Sequence, residues 1–117
     1  MPKDLQGRSR AKVLEGNDTL KDNDVFVQWN GAGDRDLGNE VINRLSAMPR
    51  RSVITGDRWK LNLCATDRGE LFDLGTDPHE TTNLIDSPEH RDRIRDMVAR
   101  IRQWQVETGD DAPLPAL

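Results

Sequence analysis

"RSVITGDRWKLNLCATDRGELFDL", residues 51–74, contains three short apolar runs separated by two polar turns. "RSVIT" and "WKLNLCAT" flank Gly56 and Asp57, residue types that tolerate the backbone angles of a tight turn. "GELFDL" follows a second turn, "TDRG". Side chains alternate in character with period two, which marks strands rather than helix, so the stretch predicts an antiparallel meander of three strands. Trp59, Leu61 and Leu63 fall on one face and Lys60, Asn62 and Cys64 on the other, which is expected to be wet.

Moving toward the N-terminus, "EVINRLSAMP" (40–49) places Val41, Ile42 and Leu45 at the spacing of a short helix that Pro49 ends. "GAGDRDLGN" (31–39) has three glycines and three charges and reads as a mobile loop. "DVFVQWN" (24–30) alternates Val25, Val27 and Trp29 against Phe26 and Gln28, a fourth strand. In "GRSRAKVLEGND" (7–18), Ser9 can cap one or two helical turns that Gly16 closes, a piece too short to persist without packing on something else.

Toward the C-terminus, "GTDPHETTNL" (75–84) reads as consecutive turns, because Asp77 precedes Pro78 and Thr81, Thr82 and Asn83 can bond nearby backbone groups. A long helix then spans about residues 88–107, with Ser87 as N-cap, Pro88 at the first position, Glu89 at the positive end and Gly109 as the stop. At about 100° per residue, Ile94, Met97, Val98, Ile101, Trp104 and Gln105 share one side. Arg91, Arg95 and Arg102 edge that stripe on one border and Arg93 and Arg100 on the other. Glu89, Asp92, Asp96 and Glu107 face outward. The arginine stems therefore serve as rims over apolar surface, and an outwardly acidic helix does not read nucleic-acid phosphates.

The fold class these elements predict is α+β: a small antiparallel β-sheet of three to four strands packed against one long C-terminal amphipathic helix. The stripe is expected to lie on Trp59, Leu61, Leu63 and either Leu71 or Phe72, leaving the other sheet face without an obvious cover. With 117 residues the chain can build one modest core, and residues 24–117 are read as that domain, with 1–23 as an N-terminal segment arriving from a separate region. Hydrophobic residues make up 34% and charged residues 32%, and mean hydropathy is −0.79, so little apolar area opposes conformational entropy. No apolar run reaches the roughly 20 residues of a membrane span, and "MPKDLQGRSR" lacks the apolar core of a signal peptide. A net charge of −4 disfavours a nucleic-acid partner. One cysteine and two scattered histidines give neither a disulfide nor a zinc spacing.

The ordered series Arg51, Thr55, Gly56, Trp59, Lys60, Leu61, then Glu70, Leu71, Phe72, Asp73, Leu74, Asp77, Pro78, Glu80, Asn83 and Leu84, followed by a terminal helix, resembles the C-terminal region of the formylglycine-dependent sulfatases of the alkaline-phosphatase-like superfamily. In that family an arginine-led strand precedes a W/Y-K-L strand and E-L-Y/F-D-L-x-x-D-P-x-E-x-x-N-L. "DLQGRSRAKVLEG" (4–16) is similar to the family's G-R-S-L-x-P-L-L-x-G segment, with Arg10 and Lys12 at positions that are usually apolar or proline. The resemblance implies a non-catalytic C-terminal domain of a sulfuric ester hydrolase that buttresses a catalytic domain and shapes its cleft. It also implies that the calcium ion and the formylglycine, made from the cysteine of C-x-P/A-x-R, belong to that catalytic domain.

Cys64-Ala65-Thr66-Asp67-Arg68 has the Cys and Arg spacing of the formylglycine motif, but Thr66 stands at the proline or alanine position and a hairpin replaces the helix start. It reads as a half-buried strand cysteine. Asp73, Asp77 and Glu80 are assigned to turn bonding rather than to calcium, and His79 and His90 to the surface. Lys60, on the face away from Trp59, and Trp29 with Asn30, at a strand end, are the candidates for the rim of a substrate pocket. The partners expected are the catalytic domain and, through the uncovered sheet face, a second copy. That second partner defines an alternative role as a freestanding interaction or self-association module.

Overall fold

In the computed structural model, residues 9–16, 23–31 and 35–117 are described. Four strands, β1 (Val25–Trp29), β2 (Arg50–Ile54), β3 (Trp59–Cys64) and β4 (Glu70–Asp73), form one antiparallel sheet in the order β1-β2-β3-β4. The register pairs Phe26 with Val53, Val53 with Leu61 and Leu61 with Leu71. Those four side chains therefore line up across one face, together with Trp59 and Leu63. Against this face lies α3 (Arg91–Thr108), entered through a single 3₁₀ turn (Pro88–His90). The fold is the α+β unit its patterning predicts.

Ile94, Met97, Val98 and Ile101 of the helix and Val53, Leu61, Leu63 and Leu71 of the sheet form the buried core, with Phe26, Trp59, Leu84, Ile85 and Leu114 around it. Between the two open alternatives, Leu71 is the residue under the helix. Phe72, one residue along, is buried on the opposite face. Trp104 is half-buried and stacks on Phe26, ring centroids 5.5 Å apart and 9° from parallel, which fixes the C-terminal part of α3 over β1. Gly109, at φ 70°, closes the helix: its own N–H and that of Asp110 both reach the Gln105 carbonyl. Ser87 stands at the helix entrance, but its hydroxyl donates to the Glu89 carboxylate at 3.2 Å and caps no backbone N–H.

The β2–β3 turn is centred on Gly56 and Asp57, with the Arg58 N–H bonded to the Thr55 carbonyl. The left-handed step falls on Arg58 (φ 67°), after the glycine, as in hairpins whose type I turn ends in a bulge. Residues 40–46 form α2 (Glu40–Ser46), capped by Asn39 Oδ1, which accepts from the Val41 and Ile42 amides. Its far end sits on β1: Trp29 Nε1–H donates to the Ser46 carbonyl, and Gly31 (φ 91°) passes so close to Ala47 that a Cβ would strike its backbone. Of the loop read as mobile, residues 32–34 lie outside the described residues. The rest is tied to α2, since Asp36 accepts from Gly38 and Asn43, and Asn43 Oδ1 accepts from Leu37. A four-residue helix, α1 (Ala11–Leu14), ends at Gly16 as expected, with Leu14 89% exposed.

The face away from α3 is only partly wet. Val25, Val27 and Trp29 are exposed there, whereas Cys64 and Phe72 are buried. Phe72 stands opposite Lys60 in the register, and Lys60 is drawn across this face toward Glu80 in the following turn. Cys64 sits where β3 enters its turn, its Sγ 3.9 Å from Thr66 Oγ1.

Candidate functional site

Within 70–84, Asp73, Asp77 and Asn83 bond to backbone. Asp77 accepts the Thr81 and Thr82 amides at 3.0 Å each and the Thr81 hydroxyl at 2.8 Å. Those donors, the Thr81 amide first, hold its carboxyl below the ordinary carboxylate range. Asn83 does for the edge strand what a fifth strand would do. Its Oδ1 accepts the Leu71 N–H at 3.0 Å and the Ile85 N–H at 3.1 Å, its Nδ2 donates to the Gly69 carbonyl at 3.1 Å, and the Leu84 N–H meets the Leu71 carbonyl at 2.8 Å. The outer edge of β4 is thereby closed, and Leu84 is delivered to the core margin. Glu80, in the left-handed region at φ 55°, points its buried Oε1 at the Lys60 ammonium 2.5 Å away, off the hydrogen-bond direction but in firm ionic contact.

Such a donor set does not fit a calcium site. Both Asp77 oxygens accept hydrogen bonds, Glu80 faces an ammonium, and Asp73 Oδ1 accepts the Gly75 amide. A cation here would compete with the donors on both Asp77 oxygens and with the Lys60 ammonium on Glu80.

A second polar assembly, which no local sequence signal announces, ties the helix end to the sheet. Arg51 is 4% exposed, and all five of its guanidinium protons are used. Nε and Nη2 form a fork on Asp110 at 2.8 and 2.7 Å, Nη1 reaches the carbonyls of Trp29 (3.1 Å) and Arg50 (2.8 Å), and Nη2 also reaches Asn30 Oδ1 (2.8 Å). Asp110 further accepts from Gln105 Nε2 at 2.8 Å. The Arg51 guanidinium drives the Asp110 carboxyl far below its usual range, and Asp110 in turn raises Arg51. Gln105, the one polar residue of the helical stripe, is thus part of this clamp.

The three rim candidates do not converge. Lys60 is at the Trp59 end of β3, opposite Ile54 and Phe72. Trp29 pairs with Arg50, which in turn pairs with Cys64, four residues or about 13 Å further along the strands. Asn30 is engaged by Arg51. Trp29 instead walls a shallow depression of about 250 Å³ with Arg50, Ser52, Asn62, Arg68 and Glu70, over the buried Cys64. Arg50 faces Asp67 at 3.5 Å and Arg68 pairs with Asp86. Neither Arg50 nor Arg68 stood out in the sequence as a neighbour of Trp29: the β1–β2 register sets Arg50 beside it, and the β3–β4 turn brings Arg68.

Beyond Trp29, the apolar surface continues. Val25, Val27 and Trp29 are 46 to 50% exposed, and α2 presents Val41, Ile42 and Leu45 at 46 to 54%. Trp29 and Leu45 line one groove with Ser46 and Arg50. Single exposed apolar residues are ordinary, but here the two sets meet where Trp29 and Leu45 share a groove.

No family model matches the chain. It is 38% identical over 66 residues to a choline-sulfatase of Rhizobium meliloti, 51% of this chain and 12% of that protein. It is 39% identical over 46 residues to an ulvan-active sulfatase of Formosa agariphila, 39% of this chain and 8% of that protein. The chain is related to the C-terminal region of sulfatases. A solved structure of a candidate sulfatase from Bacteroides thetaiotaomicron superposes on this sulfatase-related chain with a TM-score of 0.76 at 23% identity, covering all of this chain and 24% of that one, a likeness of fold. The sulfatase-related chain thus matches about a tenth of the length of these curated relatives. Among its described residues no helix is long and apolar enough to cross a membrane.

Proposed function

We propose that this chain serves as a non-catalytic C-terminal domain of a sulfuric ester hydrolase, buttressing a catalytic domain and shaping its substrate cleft. The observation that carries this reading is the exposed apolar row of Val25, Val27 and Trp29 on the sheet face opposite α3, joined by Leu45 of α2 in the groove beside Trp29. It is a surface made to be covered. Trp29, Arg50 and Arg68 border that row, where an aromatic face and two guanidinium groups can contribute to the wall of an anionic substrate's cleft. Lys60 and Asn30, engaged by Glu80 and Arg51, act in this reading as supports.

Cys64 argues in the same direction, because it is 3% exposed and lies at a strand end rather than at a helix start. Formylglycine and calcium then belong to the catalytic domain and not to this chain. The purified chain is expected to release no phenol from an aryl sulfate. Turnover that disappears in Cys64→Ala would overturn the proposal.

A second reading is favoured by the same apolar row: a freestanding module that self-associates through it, with β1 at the edge of the sheet among the described residues. Sedimentation equilibrium separates the two. A tight dimer dissolved by Val27→Lys supports the module, and a monomer at high concentration supports the domain that needs a different partner. Neither reading involves nucleic acid or a membrane.

A further inference from the structure

A separate groove of about 710 Å³ runs along the outer flank of α3, on the far side of the sheet from the apolar row above. Ile85, Val98 and Val106 supply an apolar floor, and Val106 is 78% exposed although it sits on a helix. One border of α3, Arg91, Arg95 and Arg102, stands along it. The other border is spent on the fold: Arg93 lies 4.3 Å from the Trp59 ring centre and 2.8 Å from Asp57, and Arg100 lies 2.9 Å from Asp24 and from Asp96. Arg91 and Arg102 make no ion pair among the described residues, and Arg95 has only an exposed 3.5 Å contact with Asp92. Three cations thus flank apolar surface on a chain whose net charge is −4.

We propose that this groove docks a polypeptide segment of acidic amphipathic character, with aliphatic side chains on the floor and carboxylates against Arg91, Arg95 and Arg102. Charge complementarity selects that occupant. The floor between the arginines is apolar, which suits aliphatic side chains and not a phosphate backbone. The groove is concave, and Asp92 and Asp96 stand on the neighbouring face of the same helix, which opposes a flat anionic lipid surface. From Arg91 to Val106 the floor runs about 22 Å, the length of a helix of about 15 residues.

Fluorescence anisotropy with the intact chain tests this. The probes are three labelled synthetic peptides of about 15 residues: a Glu/Leu amphipathic helix, its Lys/Leu counterpart and a Glu/Ser version without apolar residues. The Glu/Leu peptide is expected to bind about tenfold or more tighter than either other peptide, and to weaken as salt rises. Arg95→Glu with Arg102→Glu should abolish that preference or invert it toward the Lys/Leu peptide, with the thermal midpoint held as a control. Equal binding of the three peptides overturns the proposal, as does no binding of the Glu/Leu peptide at millimolar concentration. Arginine-dependent binding of phosphatidylserine vesicles or duplex DNA without the Glu/Leu preference overturns it too.

Discussion

Replacing Asn83 with alanine removes three hydrogen bonds from the outer edge of the sheet. The Leu71 amide is the costly loss, because Leu71 is fully buried and no water replaces the missing acceptor. Leaving such a donor unpaired costs about 1 to 3 kcal/mol, and the bonds to Ile85, which is partly exposed, and to the buried Gly69 add about 0.5 to 1 kcal/mol each. The expected total is about 3 kcal/mol, a fall of about 10 °C in thermal midpoint for a domain of this size. Urea unfolding followed by far-UV circular dichroism measures it. Asn83→Asp keeps both accepted bonds and loses only the donor to Gly69, so its midpoint should fall between wild type and Asn83→Ala. If alanine costs under about 0.5 kcal/mol, or aspartate costs as much as alanine, the side chain does not hold the edge strand and the reading of the whole motif as backbone support fails.

Arg51→Met strands the Asp110 carboxylate at the helix end and should cost about 3 kcal/mol, measured by the same unfolding curves. Asp110 is depressed in the folded chain by Arg51, so the stability it contributes is present above the unfolded value near 4 and drains away as pH falls below it. An Asp110→Asn variant should therefore show a flatter acid limb than wild type, and an unchanged limb would refute the assignment. Trp104→Ala loses the stack on Phe26 from a half-buried position and should cost about 2 to 3 kcal/mol, less than a fully buried tryptophan. A double-mutant cycle on Lys60 and Glu80, both partly exposed, should give a coupling of about 1 kcal/mol, and no coupling would free Lys60 for another role.

The strands and the long helix were legible because their signals are local. Period-two alternation from Val53 to Leu71 and a helical stripe from Ile94 to Ile101 each specify a buried face within one element. The Arg51–Asp110 clamp was not legible, since its partners stand 59 positions apart and nothing near either residue announces the other. The same holds for the division of labour among the helix arginines. All five read as equivalent rims, and only the packing of α3 over the hairpin engages Arg93 and Arg100, while Arg91 and Arg102 pair with no carboxylate among the described residues. Cys64 was assigned by parity alone and Phe72 was left as an alternative to Leu71, because parity places a side chain on a face without saying whether a turn or an ion pair will cover it. Trp29 was marked as a rim for its position at a strand end, whereas its neighbours Arg50 and Arg68 come from other strands and turns.

Ribbon and helix should behave as one supporting wedge, and native-state hydrogen exchange reads that directly. The amides of Leu61, Leu63 and Leu71 in the sheet and of Met97, Val98 and Ile101 in α3 should open with one common free energy, lowered together by Arg51→Met. Helix amides that exchange well before those of the sheet, and are indifferent to Arg51, would contradict it.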